Sequence, residues 1–145
     1  MPEEIKTSGK IDVQDVRHFT FDRPVQDNTL DMDLAFSDEE IGHAMRFAAM
    51  TYNDMAPQCH TVDPTSLPFG GCFLHGIAYH LYLGKLQQLM RNDIDYSAGN
   101  ITVDLNQRRI KHIQAVLLPL FKAEFEKLAF DQKVAINISH GYRAF

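Results

Sequence analysis

The stretch FLHGIAYHLYLGKLQQLMRN (residues 73–92), followed by DIDYSAGNITVD (residues 93–104), decides how the rest of the chain is read. Phe73 or Leu74, Ile77, Leu81, Leu86 and Leu89 recur at helical spacing, flanked by Ala78, Tyr82, Lys85 and Met90. The pattern predicts a helix over residues 71–91, apolar enough to be the central and most buried one. Gly76 and Gly84 lie inside it. A helix-interior glycine costs about 1 kcal/mol of propensity relative to alanine, so both are expected where another backbone comes close. Ala98-Gly99-Asn100 then separates IDY from ITV, which predicts a small β-hairpin leading into the next helix.

Upstream, Ser37-Asp38-Glu39-Glu40 forms a capping box: the serine hydroxyl accepts from an early amide and Glu40 reaches back. Ile41, Met45, Ala48, Ala49 and Tyr52 make the apolar stripe of that helix, and Asn53, Asp54 and Pro57 end it. Pro57, Pro64, Pro68 and Gly70-Gly71 predict a fixed, irregular crossing to the central helix. Downstream, Asp104 and Gln107 form a second capping box. The inward set of the third helix is Ile110, Ile113, Val116 or Leu117, Leu120 or Phe121, Phe125 and Leu128. Pro119 predicts a kink near residues 115–118 or two shorter helices, because its ring clashes and it lacks an amide hydrogen. Arg108, Arg109 and Lys111 face outward near the start of this helix, an unfavourable place for cations in the helix dipole.

The two ends look different. Val16, His18, Thr20 and Asp22 alternate with Arg17, Phe19, Phe21 and Arg23, a weak period of two that predicts a strand ended by Pro24. The tail VAINISHGYRAF (residues 134–145) alternates Val134, Ile136 and Ile138 with smaller or polar groups and predicts a terminal strand. The expected fold class is mainly α. It is a three-helix bundle-like core with a small β-hairpin between the second and third helices and extended N- and C-terminal arms. The expected divisions are an acidic arm and linker over residues 1–36, a helical core over 37–132 and an extended tail over 133–145.

Composition narrows the function classes. A chain of 145 residues supports one core. Its net charge of −5 is uneven: residues 1–40 hold eleven acids and four bases, and the remainder hold eight acids and ten bases. An acidic arm on a near-neutral body is unlike a nucleic-acid binder; it fits an arm that solubilises the protein or that docks on a basic surface of a partner. His80, Lys85 and Gln87-Gln88 interrupt the most apolar run, so no membrane span is expected, and the first residues lack the basic-then-apolar order of a signal peptide. Cys59 and Cys72 could pair in principle, but a reducing compartment argues against it.

Several residues invite chemical readings. Cys59-His60 and Cys72-x-x-His75 supply four zinc-ligand types, but adjacent Cys-His departs from the usual ligand spacing. His75 and Tyr79 share a helix face, whereas His80 points elsewhere, and no serine or acid completes a triad. Asp93, Asp95, Ser97, Gly99 and Asp104 resemble half a calcium loop, with the glycine one place late and aspartate where a bidentate glutamate belongs. In each case packing or turn formation is the favoured reading, so no catalytic, metal or cofactor residue is assigned. Arg108, Arg109, Lys111 and His112 form a basic patch suited to a neighbour's acidic arm. Phe19, Phe21, Ile136, Ile138, Tyr142 and Phe145 on the arms join Arg108, Arg109 and Lys111 as the expected subunit contacts.

Three segments carry a family resemblance: SDEEIGHAMRFAAMTYNDMAP (37–57), DPTSLPFGGCFLHGIAYHLYLGKLQQLMRN (63–92), and DIDYSAGNITVDLNQRRIKHIQ (93–114) with FKAEFEKL (121–128). Together they resemble small structural proteins of tailed bacteriophages at the head-to-tail connector or neck. The resemblance covers about residues 36–130, and Gly99-Asn100 stands where such proteins often carry Gly-Gly. It implies a non-enzymatic virion component, assembled in the host cytoplasm, that forms or joins a homo-oligomeric ring and meets portal, adaptor or tail proteins through its arms. No cofactor, specific nucleic-acid contact or membrane is implied. Alternatives are a tail or baseplate component, or a small helical adaptor or regulatory domain for one cellular protein. An enzyme would need a pocket where His75, Tyr79 or Asp93–Asp104 converge.

Overall fold

The computed structural model describes residues 9–22, 35–91, 96–98, 101–103 and 105–143, with side chains left out of the description at 96–98, 101–106, 142 and 143. Its elements are α1 (Val13–Thr20), α2 (Asp38–Asp54), α3 (Gly71–Arg91), strands β1 (Tyr96–Ala98) and β2 (Ile101–Val103), α4 (Leu105–His112), and α5 (Leu118–Arg143). A π-helical turn, Ile113–Leu117, joins α4 to α5 as one rod.

The central helix is α3, against which α2, α5, α1 and α4 all pack. Its Ile77, Ala78 and Phe73 are fully or almost fully buried. The α5 helix approaches closely because Gly76 has no side chain: a Cβ there would lie 2.8 Å from Phe125 Cε2. Gly84 differs from its expected role, since a Cβ there would meet open space. On α2 the capping box forms, with Glu40 N–H donating to Ser37 Oγ at 3.1 Å and Ser37 N–H donating to Glu40 Oε2 at 2.8 Å. Such a cap is worth roughly 1 kcal/mol. Ile41, Ala44, Ala48, Ala49 and Tyr52 are its buried stripe, with Met45 half-buried beside it.

The expected fold class is corrected at both ends of the chain. Where a strand was expected, residues 13–20 are helical. Asp12 and Asp15 form a capping box at 2.9 Å in each direction, and Val16 and Arg17 face inward. The alternation was weak evidence because Val13, Val16 and Phe19 also recur at helical spacing, and burial favours the helix. Arg17 is buried and donates to Asp22 Oδ2 at 2.8 Å and to Asp38 Oδ1 at 2.6 Å. Asp22 also accepts from the backbone amides of Ala35 and Phe36, joining the end of α1 to the entry of α2. Before α1, Ile11 N–H donates to Leu67 O and Phe69 N–H donates to Gly9 O, tying this stretch to the loop ahead of α3.

The C-terminal strand is likewise replaced by helix, since α5 continues through Arg143. Extending an established helix adds a hydrogen bond for each residue ordered and needs no new nucleus, which outweighs the β preference of Val134, Ile136 and Ile138. Lys133 and Asn137 also hold this segment against α2 and the following loop. Among the described residues the architecture is therefore four helical rods rather than three; residues 1–8, 23–34, 144 and 145 of the expected arms lie outside them. The short antiparallel ladder between α3 and α4 pairs Tyr96 with Val103 and Ala98 with Ile101, and it adds no layer to the core.

Near Pro119, the Leu118 N–H donates to Ile113 O, giving the wider turn of a π-helix. This turn accommodates a proline that can neither donate nor tolerate the carbonyl below it. Ile110 and Ile113 are buried, while Val116 and Leu120 are exposed, so Leu117 and Phe121 take the inward places.

Candidate functional site

A groove of about 340 Å³ lies between α2 and α3, lined by Phe36, Glu40, His43, Ala44, Phe47, His80, Leu81, Gly84, Lys85 and Gln88. Its floor is apolar because Ala44 on α2 and Gly84 on α3 are small, leaving a trough over buried Leu81. Phe47 projects at the rim with half its surface exposed (49%). His80 stands on the other wall, 5.9 Å from the Phe47 ring centroid, with Nε2 3.2 Å from Thr51 Oγ1. Burial lowers the His80 pKa from its ordinary value. Glu40, His43, Lys85 and Gln88 add both signs of charge and neutral polarity around the floor.

A second cluster surrounds Tyr52 at the end of α2. The Lys133 ammonium, buried at 1% exposure, donates to the carbonyl oxygens of Tyr52 and Met55 and sits 4.5 Å from the centroid of the Tyr52 ring. Those carbonyls belong to the negative end of the α2 dipole, where a cation is favoured. The Tyr52 hydroxyl is buried without a well-formed hydrogen bond to any described group. Burial and the neighbouring Cys59 and Cys72 sulfurs push its pKa up to about 12. Cys59 Sγ lies 3.2 Å from His60 Nδ1. Asn53 closes the intervening loop, accepting from Val62 N–H and donating to Val62 O.

The zinc-ligand types do not converge: among the described residues no group of three His, Cys, Asp or Glu could hold a metal ion. Cys72 is buried, and His75 Nδ1 contacts its own helix at Gly71 O, 2.5 Å away. The His75 ring packs against Phe19 and Phe121, whereas His80 turns to Thr51. Asp93, Asp95, Gly99 and Asp104 of the calcium-loop reading lie outside the described residues, as does the Ser97 side chain.

The expected contact residues occupy different environments. Phe19 is half-buried and Phe21 is exposed at 74%. Arg108, Arg109 and Lys111 are exposed on α4. Ile136 is half-buried and Ile138 exposed on α5. Phe145 and the Tyr142 side chain lie outside the described residues. Sequence reasoning passed over Lys133, Phe47 and Phe130. For the latter two a signal was available, because each is a large aromatic side chain placed off the apolar stripe of its helix.

No helix among the described residues is long and apolar enough to cross a membrane. Comparison with protein-family models, curated proteins and solved structures finds no match for this chain.

Proposed function

We propose that this chain works by binding rather than catalysis, as a structural subunit that seats a segment of a neighbouring protein in the α2–α3 groove. The observation that carries this reading is the groove itself: an apolar floor of Phe36, Ala44 and Leu81, a projecting Phe47, and a rim of Glu40, His43, Lys85 and Gln88. Protein interfaces commonly combine an aromatic anchor and apolar centre with a polar rim. An amphipathic helix is the occupant of the right shape, since its apolar face covers the floor while its polar flanks reach both signs of charge.

The setting we propose is the head-to-tail connection of a tailed phage, in a ring whose neighbours are further copies or portal, adaptor and tail proteins. The support is the resemblance over about residues 36–130. Cyclic symmetry would present the same groove to each neighbour in turn. The test is to probe purified particles of the phage encoding the chain by mass spectrometry and label the chain for electron microscopy. Label at the neck is expected, together with loss of incorporation on Phe47→Asp. A chain absent from purified particles and free in the host overturns the virion setting. Unimpaired incorporation of Phe47→Asp overturns the groove.

A further inference from the structure

The loop between α2 and α3 brings a thiol, an imidazole and a buried phenol together. Cys59 Sγ lies 3.2 Å from His60 Nδ1, so with the imidazole protonated at Nε2 the thiol donates to it. Tyr52 stands beside this pair, its ring centroid 6.1 Å from that of His60. Tyr52 is fully buried, and its hydroxyl has no well-formed hydrogen bond among the described residues. Buried hydroxyls nearly always find a partner. The Cys59 sulfur comes within hydrogen-bonding range of this one without completing the bond. The loop is pinned on both sides of the pair: Asn137 of α5 donates to Gln58 O at 3.2 Å, and Asn53 binds both the amide and the carbonyl of Val62. Cys59 is half-buried and His60 exposed, so a small solute can reach the sulfur from water.

We propose that Cys59 is a site of reversible oxidation by hydroperoxides, with the Tyr52 hydroxyl donating to the sulfenate oxygen that forms. Adjacent Cys and His alone would not carry this reading, since sequence neighbours often touch. The buried, unpartnered hydroxyl is the second observation, because it calls for an acceptor at the sulfur. In the reaction the sulfur attacks one oxygen of hydrogen peroxide, and an S–O bond forms as the O–O bond breaks. The thiol proton passes to His60 Nδ1 and on to the departing hydroxide, which leaves as water. Sulfur loses the two electrons that the peroxide gains, so no further reactant is needed. Thiol sulfur is a weak acceptor, whereas the added oxygen is a good one, and it satisfies the hydroxyl that the reduced state leaves waiting. A small thiol then restores Cys59 through a mixed disulfide. Cys72, the other sulfur near this hydroxyl, is buried and shielded from the oxidant. None of this rests on the α2–α3 groove or on the virion setting, since no residue of the groove takes part.

Treating the full chain with hydrogen peroxide and trapping with dimedone tests it, with fragmentation mass spectrometry to place the adduct. An adduct on Cys59 and none on Cys72 is expected, removed by prior treatment with dithiothreitol. His60→Ala, at an exposed position, should slow the reaction at least fivefold. The untrapped oxidised chain should melt about 2–4 °C higher than the reduced one, the effect of one hydrogen bond gained. Tyr52→Phe, which keeps the ring and the carbonyl bound by Lys133, should abolish that rise. Absence of a Cys59 adduct, or a rate indifferent to His60→Ala, overturns the proposal. A Cys59–Cys72 disulfide in place of the adduct overturns the held sulfenate. An oxidised chain that melts no higher than the reduced one overturns the role of the hydroxyl, and this comparison needs no variant should Tyr52→Phe fail to fold.

Discussion

The Lys133 ammonium donates to the carbonyl oxygen of Tyr52, joining positions 81 residues apart in sequence. With the Met55 carbonyl as second acceptor, one buried cation caps the end of α2 from the side of α5. Lys133→Met keeps the length of the side chain but leaves those carbonyls without their donor. Loss of such charge-assisted bonds is expected to lower stability by about 2–3 kcal/mol. Urea unfolding followed by circular dichroism checks this, with Lys122→Met as the comparison. The exposed Lys122–Glu126 pair at 4.0 Å is worth at most about 0.5 kcal/mol.

The two glycines of α3 should respond in opposite directions. Gly76→Ala drives a methyl into the Phe125 ring and should cost roughly 1–3 kcal/mol through overpacking. Gly84→Ala meets open space and should gain about 0.5–1 kcal/mol through helix propensity. Thermal unfolding of both variants measures the contrast. Phe125→Leu in the Gly76→Ala background should recover part of the loss if the ring is the obstacle.

The two thiols should differ in reactivity and in alkaline behaviour. Half-buried Cys59 is expected to label with a maleimide in the native state, whereas buried Cys72 labels only as the fold opens. Burial pushes the Cys72 thiol from 9.0 up to about 12, with nearby Lys133 acting in the opposite sense. A pKa raised on folding means that the unfolded chain loses its proton first. Stability is therefore full below pH 9.0 and declines as pH rises toward 12. Cys72→Ala should make that decline shallower in pH-dependent denaturation; an unchanged slope would refute the assignment.

His80 acts at the other end of the pH scale. Burial lowers its pKa below 6.5, so the unfolded chain binds a proton more readily than the folded one. Its contribution is present above 6.5 and is lost as pH falls through and below that value. His80→Gln should flatten the stability profile in this window relative to the parent, with carboxylate titration at lower pH common to both. Nuclear magnetic resonance of the imidazole proton measures the shift directly.

Much of the helical framework was legible in local pattern. The Ser37–Glu40 capping box opens α2, the apolar spacing of residues 73–89 marks α3, and Pro119 marks the disturbance before α5. Each is a near-neighbour effect, so the residues responsible lie within a few positions of one another. The candidate groove was not legible, since it needs Phe47 of one helix beside His80 of another, and nothing in sequence order brings them within 5.9 Å.

The sequence by itself determined where α2 and α3 begin, which of their faces is buried, and that the charge is uneven, with an acidic first quarter and a near-neutral remainder. Only the tertiary structure decided the state of the ends. Residues 13–20 became helix because Val16 and Arg17 are buried there, and residues 134–143 because α5 was already formed and held by Lys133. The same alternation of residues is compatible with strand or helix in isolation, and long-range burial breaks the tie. The tertiary structure also separated Phe125 from Phe130, two similar side chains on one helix. One fills the space Gly76 leaves and the other is half exposed to solvent.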